Sequence, residues 1–181
     1  MIARKSVQAL VAVAATMAGV AVLCAGESQP QLRGHITKFG IYMPAGSGKR
    51  ITERGSATGY VTEGGRIFQS AGTNVDLVKG VSFGFDFRID GVPAVQPLRL
   101  THLIAHPKMK KPDGATLEKQ TFDRDVMGTD GTISGTLWYT LREDFELLPG
   151  EWTLSVLHGT KVLVEKRFSV AQTPSAAPTG K

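Results

Sequence analysis

Three groups of residues in this sequence are of types that could do chemistry. The first is His102, His106 and Met109, since histidine and methionine together can ligate copper in an oxidising compartment. Their spacing works against a shared ion. On one strand, residues 102 and 106 share a face but stand about 13 Å apart, too far to chelate one metal unless Met109 folds back. The plainer reading packs or hydrogen-bonds His102 within a sheet and ends a strand at His106, beside Pro107. The second group is Lys108, Lys110 and Lys111, set between Pro107 and Pro112 and preceded by His106. Proline fixes φ and removes a donor, so the segment 106–114 reads as a stiff, positive loop that does not sit inside a ladder. Such a loop is either a solvated turn that aids solubility or the place where an acidic partner docks. The third is residues 45–50, Ala-Gly-Ser-Gly-Lys-Arg. A phosphate-binding loop needs a glycine where Met43 stands and Ser or Thr where Arg50 stands, and it opens a helix. This segment reads as a hairpin loop.

Other chemistries leave no mark. Ser134 lies in Gly-Thr-Ile-Ser-Gly-Thr, not in Gly-x-Ser-x-Gly, and none of the four histidines is beside a plausible nucleophile. Asp123, Asp125 and Asp130 lack calcium-loop spacing and are expected at a sheet edge and in an Asp130-Gly131 turn. Glu143, Asp144 and Glu146 read as an exposed connection before Pro149. No catalytic residue and no cofactor is expected. An enzyme with a nonstandard site stays open, to be recognised by titratable groups converging in one cleft.

The elements that must position these residues are strands. The 21 glycines are spread along the chain, and between them lie short runs of alternating apolar and polar residues. The alternation predicts strands over 35–42, 57–63, 74–78, 81–89, 98–105, 117–126, 132–141, 151–158 and 161–170. The first places Ile36 with Lys38, Gly40 and Tyr42, opposite Thr37, Phe39 and Ile41. The run 81–89 puts Val81, Phe83, Phe85, Phe87 and Ile89 on one face. The last two strands form a hairpin about His158-Gly159-Thr160. The expected core is Phe83, Phe85, Phe87, Leu100, Trp138, Trp152, Leu154, Val162, Val164 and Phe168.

The N-terminus reads as an export signal. Arg4 and Lys5 precede an uncharged apolar run over 9–23, shorter than the ~20 residues a spanning helix needs. Small residues follow, so cleavage is expected after Ala25 or Gly26; an uncleaved anchor is the alternative. Cys24 is the single cysteine. Lipidation there would call for a small residue before it, where Leu23 stands. The three expected segments are a signal peptide over 1–26, a β domain over 27–170 and a disordered Pro/Ala/Thr-rich tail over 171–181. Cleavage removes Arg4 and Lys5, so a formal charge of +5 falls to about +3, a value that serves solubility. No Lys/Arg stripe interleaves with aromatics, and nucleic acid is not an expected partner.

Three stretches carry a resemblance. They are Leu-Leu-Pro-Gly-Glu-Trp-Thr-Leu running on to Phe-Ser-Val at the C-terminal hairpin, Gly40-Ile41-Tyr42 near the start, and His-Pro-Lys-Met-Lys-Lys-Pro-Asp-Gly over 106–114. Together they resemble domain-of-unknown-function family 3859, uncharacterised exported bacterial proteins, over about residues 31–170. The resemblance implies an antiparallel immunoglobulin-like β-sandwich in the periplasm or outside the cell. It implies no reaction, cofactor or catalytic residue. The expectation is an all-β sandwich preceded by a signal-peptide helix. Its leading function is non-enzymatic binding or adaptation to another cell-envelope protein, with periplasmic metal handling as the alternative.

Overall fold

The computed structural model describes residues 31–172. The expected signal peptide with Cys24, and residues 173–181 of the expected tail, lie outside them. Eleven strands succeed one another among the described residues: β1 (Arg33–Pro44), β2 (Lys49–Thr52), β3 (Tyr60–Glu63), β4 (Arg66–Ala71), β5 (Asn74–Asp76), β6 (Ser82–Asp90), β7 (Leu98–Lys110), β8 (Thr116–Val126), β9 (Thr132–Thr140), β10 (Gly150–His158) and β11 (Lys161–Ala171). A single 3-10 turn, Asp144–Glu146, links β9 to β10. The sequence alternation misses β2 and β4, which are short and mostly polar.

Two sheets face each other, ordered β4-β1-β6-β9 and β5-β11-β10-β7-β8; β2 and β3 form a separate pair. Pairing is antiparallel except for the short β5, which runs parallel to β11. One face of β6 supplies Phe83, Phe85, Phe87 and Ile89 to the space between the sheets, where all four are buried. The opposite sheet answers with Leu100, Trp152, Leu154, Val164 and Phe168. Phe83 meets the Trp152 ring edge-on at 5.8 Å and the Phe168 ring at 5.2 Å. Removing these faces from water stabilises the sandwich at about 25 cal/mol per Å² of apolar surface.

Bulges correct the expected alternation in several places. The β1–β6 register shifts between Ile36 and Lys38, so Ile36 comes into phase with Phe39 and Ile41 against the core. In β7 the register shifts between Ala105 and Met109. The expected loop 106–114 is therefore mostly strand: β7 continues through Pro107 to Lys110, and the turn closes with Lys111 donating to Ala115 O. Proline is tolerated here because a bulge leaves its residue outside the ladder. In β11, Val162 pairs Leu157 and Val164 pairs Val156, leaving Leu163 as the extra residue. Val162, expected in the core, is consequently 48% exposed, and Leu163 packs inward instead. Trp138 is also outside the central core. On β9 the inward phase belongs to Ile133, Leu137 and Tyr139, which turns Trp138 to the other face.

Candidate functional site

Strands β2 and β3 form an arm. It is a continuation of the β1–β4 edge, joined to it by Ala45 N–H donating to Gly65 O. An isolated two-stranded hairpin is marginal in water, so the arm depends on what its tip meets. The tip reaches β8 of the opposite sheet. Ala57 N–H donates to Gln120 Oε1 at 2.8 Å, and Arg124 pairs with Glu53 at 3.1 Å. Gly55 sits so close to β8 that a Cβ there would lie 2.2 Å from Thr121 O. The arm thus bridges the flank of the sandwich between its edge strands β9 and β8.

Under this bridge lies a cavity of about 260 Å³. Its walls include Tyr60 and Thr62 of the arm, Trp138 of β9, and Arg142 beyond it; His102 of β7 and Gln120 of β8 line it as well. The alternation that turned Trp138 away from the core brings it here, with the Arg66 guanidinium 4.8 Å from its ring centre. Tyr60 has the Arg50 guanidinium 4.5 Å from its ring and that of Arg142 at 5.8 Å. The cavity therefore has two aromatic surfaces, each with arginine over it.

One side of the cavity is a buried polar chain. Gln120 accepts from Ala57 N–H and donates through Nε2 to the Tyr139 hydroxyl at 3.1 Å. Tyr139 donates in turn to Glu146 Oε1 at 2.5 Å. Glu146 Oε2 accepts the backbone N–H groups of Arg142 and Glu143 at 2.7 and 2.8 Å. Gln120 and Glu146 are both almost wholly buried, and this chain is how their polar atoms are satisfied. Burial first, and then the Glu146 charge, push the Tyr139 hydroxyl well above the ordinary tyrosine range. Glu146 was expected in an exposed connection. The 3-10 turn carries it inward, with Phe145, Leu147 and Leu148 packing against the core on either side. An acid flanked by three apolar residues was the signal available in the sequence.

The three residues of the expected metal group all face inward along β7, His102 and His106 at even spacing and Met109 only by way of the bulge, and each is engaged differently. His102 lines the cavity, edge-on to Phe87 at 6.1 Å. Its burial, and secondarily the Arg124 charge, lower its pKa to about 4. His106 lies against Trp152 at 5.0 Å with Nδ1 2.9 Å from Pro107 O, and its Nε2 is buried without a partner. Burial lowers its pKa also, opposed by the Pro107 carbonyl and by Glu146 and Glu118. Met109 is fully buried, because the bulge shifts it into the inward phase. Among the described residues no three of His, Cys, Asp and Glu come together to hold a metal ion. Lys108 and Lys110 are exposed on either side of Met109, while Lys111 pairs with Asp113 at 3.3 Å. The lysines and the cavity are separate features. Tyr60, Gln120, Trp138, Arg142 and Glu146, which build the cavity, carried no motif.

Fold and site define the class: an immunoglobulin-like β-sandwich with an arm-covered cavity on one flank. The family model described as "Domain of unknown function (DUF3859)" matches residues 31–170, and the chain belongs to that family. Its structure is similar to that of an immunoglobulin-like protein of Pseudomonas aeruginosa. That match has 23% identity and a TM-score of 0.55, and it covers 80% of this chain and 99% of that one. This likeness concerns the fold. An alkylpurine DNA glycosylase of Pseudomonas fluorescens, solved with DNA containing an abasic site analog, matches with 14% identity and a TM-score of 0.33 over 54% of this chain and 27% of that one. No curated protein matches the chain. No helix among the described residues is long and apolar enough to cross a membrane.

Proposed function

We propose that this is an exported, non-enzymatic binding domain that holds a small ligand in the cavity between the arm and the sandwich flank. The cavity carries the reading. It combines apolar and aromatic walls with a few fixed polar groups, the general design of a small-molecule site, and its volume of about 260 Å³ implies a small ligand. Export rests on the N-terminal leader. The polar chain has a positioning role: Glu146 has both oxygens occupied, and Tyr139 is far from giving up its proton at neutral pH. Neither group is poised for acid–base work. The exposed Lys108 and Lys110 give the same domain a second surface, suited to an acidic partner in the cell envelope.

The test is to purify the protein from its own envelope fraction, denature it, and identify released small molecules by mass spectrometry. A Thr62→Trp variant, which fills the cavity from the arm, is run beside it. A molecule carried by the wild type and lost from the variant is the expected result. A neutral and anionic fragment panel is then followed by amide chemical shifts. The reading fails if no molecule is released and no fragment moves the resonances of Tyr60, Gln120 or Trp138.

A further inference from the structure

The arginines around the cavity differ in how their charge is met. Arg124 is neutralised by Glu53 at 3.1 Å, and elsewhere Arg88, Arg99 and Arg167 each have a carboxylate. Among the described residues, no carboxylate lies within 4.0 Å of the guanidinium of Arg142 or of Arg66. Glu146, the buried acid beside the cavity, has both oxygens committed to Tyr139 and to backbone N–H groups. Glu63, the other acid on the cavity wall, is exposed.

Arg66 is also under-satisfied as a donor. It gives one N–H from Nη1 to Gly65 O at 3.1 Å, while its Nε is buried with no acceptor. Burial, and then the nearby Arg142 charge, hold Arg66 below the ordinary arginine range. Two like charges act on one another, partly out of water, and among the described residues neither guanidinium has a carboxylate paired directly with it. A buried charge is ordinarily paired, and such a field at a concave site concentrates anions. Both guanidinium groups lie over aromatic rings of the cavity, Arg66 over Trp138 and Arg142 over Tyr60. The rings set the direction of these side chains, which reduces the ordering cost of binding.

We infer that the cavity ligand is a small organic oxyanion, its charged head taken by Arg142 with Arg66 behind it and its apolar body lying against Tyr60 and Trp138. A guanidinium presents paired N–H groups that match the two oxygens of a carboxylate or of a phosphate ester. The inference rests on the cavity being a ligand site, as proposed above, and adds the chemistry of what enters it.

The experiment titrates three probes of one shape into isotope-labelled protein: benzoate, phenyl phosphate and neutral benzamide. Benzoate or phenyl phosphate is expected to shift the amides of Tyr60, Trp138 and Arg142 and to bind at least about tenfold more tightly than benzamide. Of the two anions, the tighter identifies the source of the oxyanion. Arg142→Gln and Arg66→Gln should each remove at least about tenfold of the anion affinity and weaken benzamide by clearly less, so that the preference for the anion falls. Arg142→Lys keeps the charge but loses the paired donors, and should fall between. Near-ultraviolet circular dichroism establishes that each variant retains the native packing. Equal binding of benzamide and the anions, or anion binding indifferent to both arginine variants, overturns the oxyanion inference and leaves the cavity reading standing. Shifts absent from the cavity with all three probes overturn the inference together with the cavity reading.

Discussion

Glu146 has no exposed surface to speak of, and its carboxylate receives three hydrogen bonds, from Tyr139 and from the N–H groups of Arg142 and Glu143. Glu146→Ala leaves all three donors without an acceptor, and stability should fall by about 3 kcal/mol; Glu146→Gln should recover part of that. Urea unfolding followed by tryptophan fluorescence reads both, and an unchanged midpoint for the alanine variant would show that the chain adds nothing. His102 bears on pH. It is faced by Phe87 from β6, paired with Phe122 of β8 and Val156 of β10, and sits near the Arg124 charge. Burial lowers its pKa from 6.5 to about 4. Between these values the unfolded chain takes up a proton that the native state refuses. Stability is therefore complete above about pH 6.5 and is lost as pH falls toward 4, by up to about 3 kcal/mol from this residue. His102→Gln should flatten the stability profile across that window by about one proton, leaving the parallel, separate effect of His106. An unchanged slope would place the uptake elsewhere.

At the scale of elements, the bulges and the arm matter most. The bulges change which side chains face the core beyond them: β1 and β11 each carry one extra residue against their partners, and β7 carries two against β8. Ile36, Met109 and Leu163 face inward by this device, and Val162 faces outward. The arm is held at its tip by few contacts, among them Ala57 to Gln120 and Glu53 to Arg124. Gly55→Val should undock it, since a side chain there would collide with Thr121 O. Hydrogen exchange at Ala57 should then speed up by at least about tenfold while β10 and β11 keep their protection. Equal loss of protection in all three would mean that arm and sandwich unfold as one unit.

For the whole molecule, two sheets close over one aromatic core, and the arm adds a covered space at the flank. The core needs no covalent staple in a chain of this length. On the export reading, the natively expressed protein begins at Gly26 or Glu27 and has lost Cys24, so it contains no cysteine. Intact-mass measurement should find one of those two termini, and the thermal midpoint should be the same with and without reductant. A mass retaining Arg4 and Lys5 would make the leader an anchor, and a lipid-sized addition at Cys24 would make it a lipidation signal.

The amino-acid order alone determined nine of the eleven strands among the described residues, the sandwich class and most of the core, because apolar residues at every second position in 81–89 or 151–158 have one economical place to go, the space between two sheets. Family membership was legible too, in the C-terminal hairpin and the segment 106–114. The phase of side chains beyond each bulge was not, since an extra residue in one strand is visible only against its partner. That is why Val162 was misplaced; the strand through Pro107 read as a loop because proline cannot donate to a ladder, and only the bulge lets it stay in β7. Trp138 is a different case: the local pattern already put it out of phase with Leu137 and Tyr139, and its size argued wrongly for the core. The cavity was decided wholly by tertiary structure. Its ties join residues 63 and 71 positions apart, Ala57 with Gln120 and Glu53 with Arg124, and no local pattern announces that an arm from one sheet edge will land on the edge of the other.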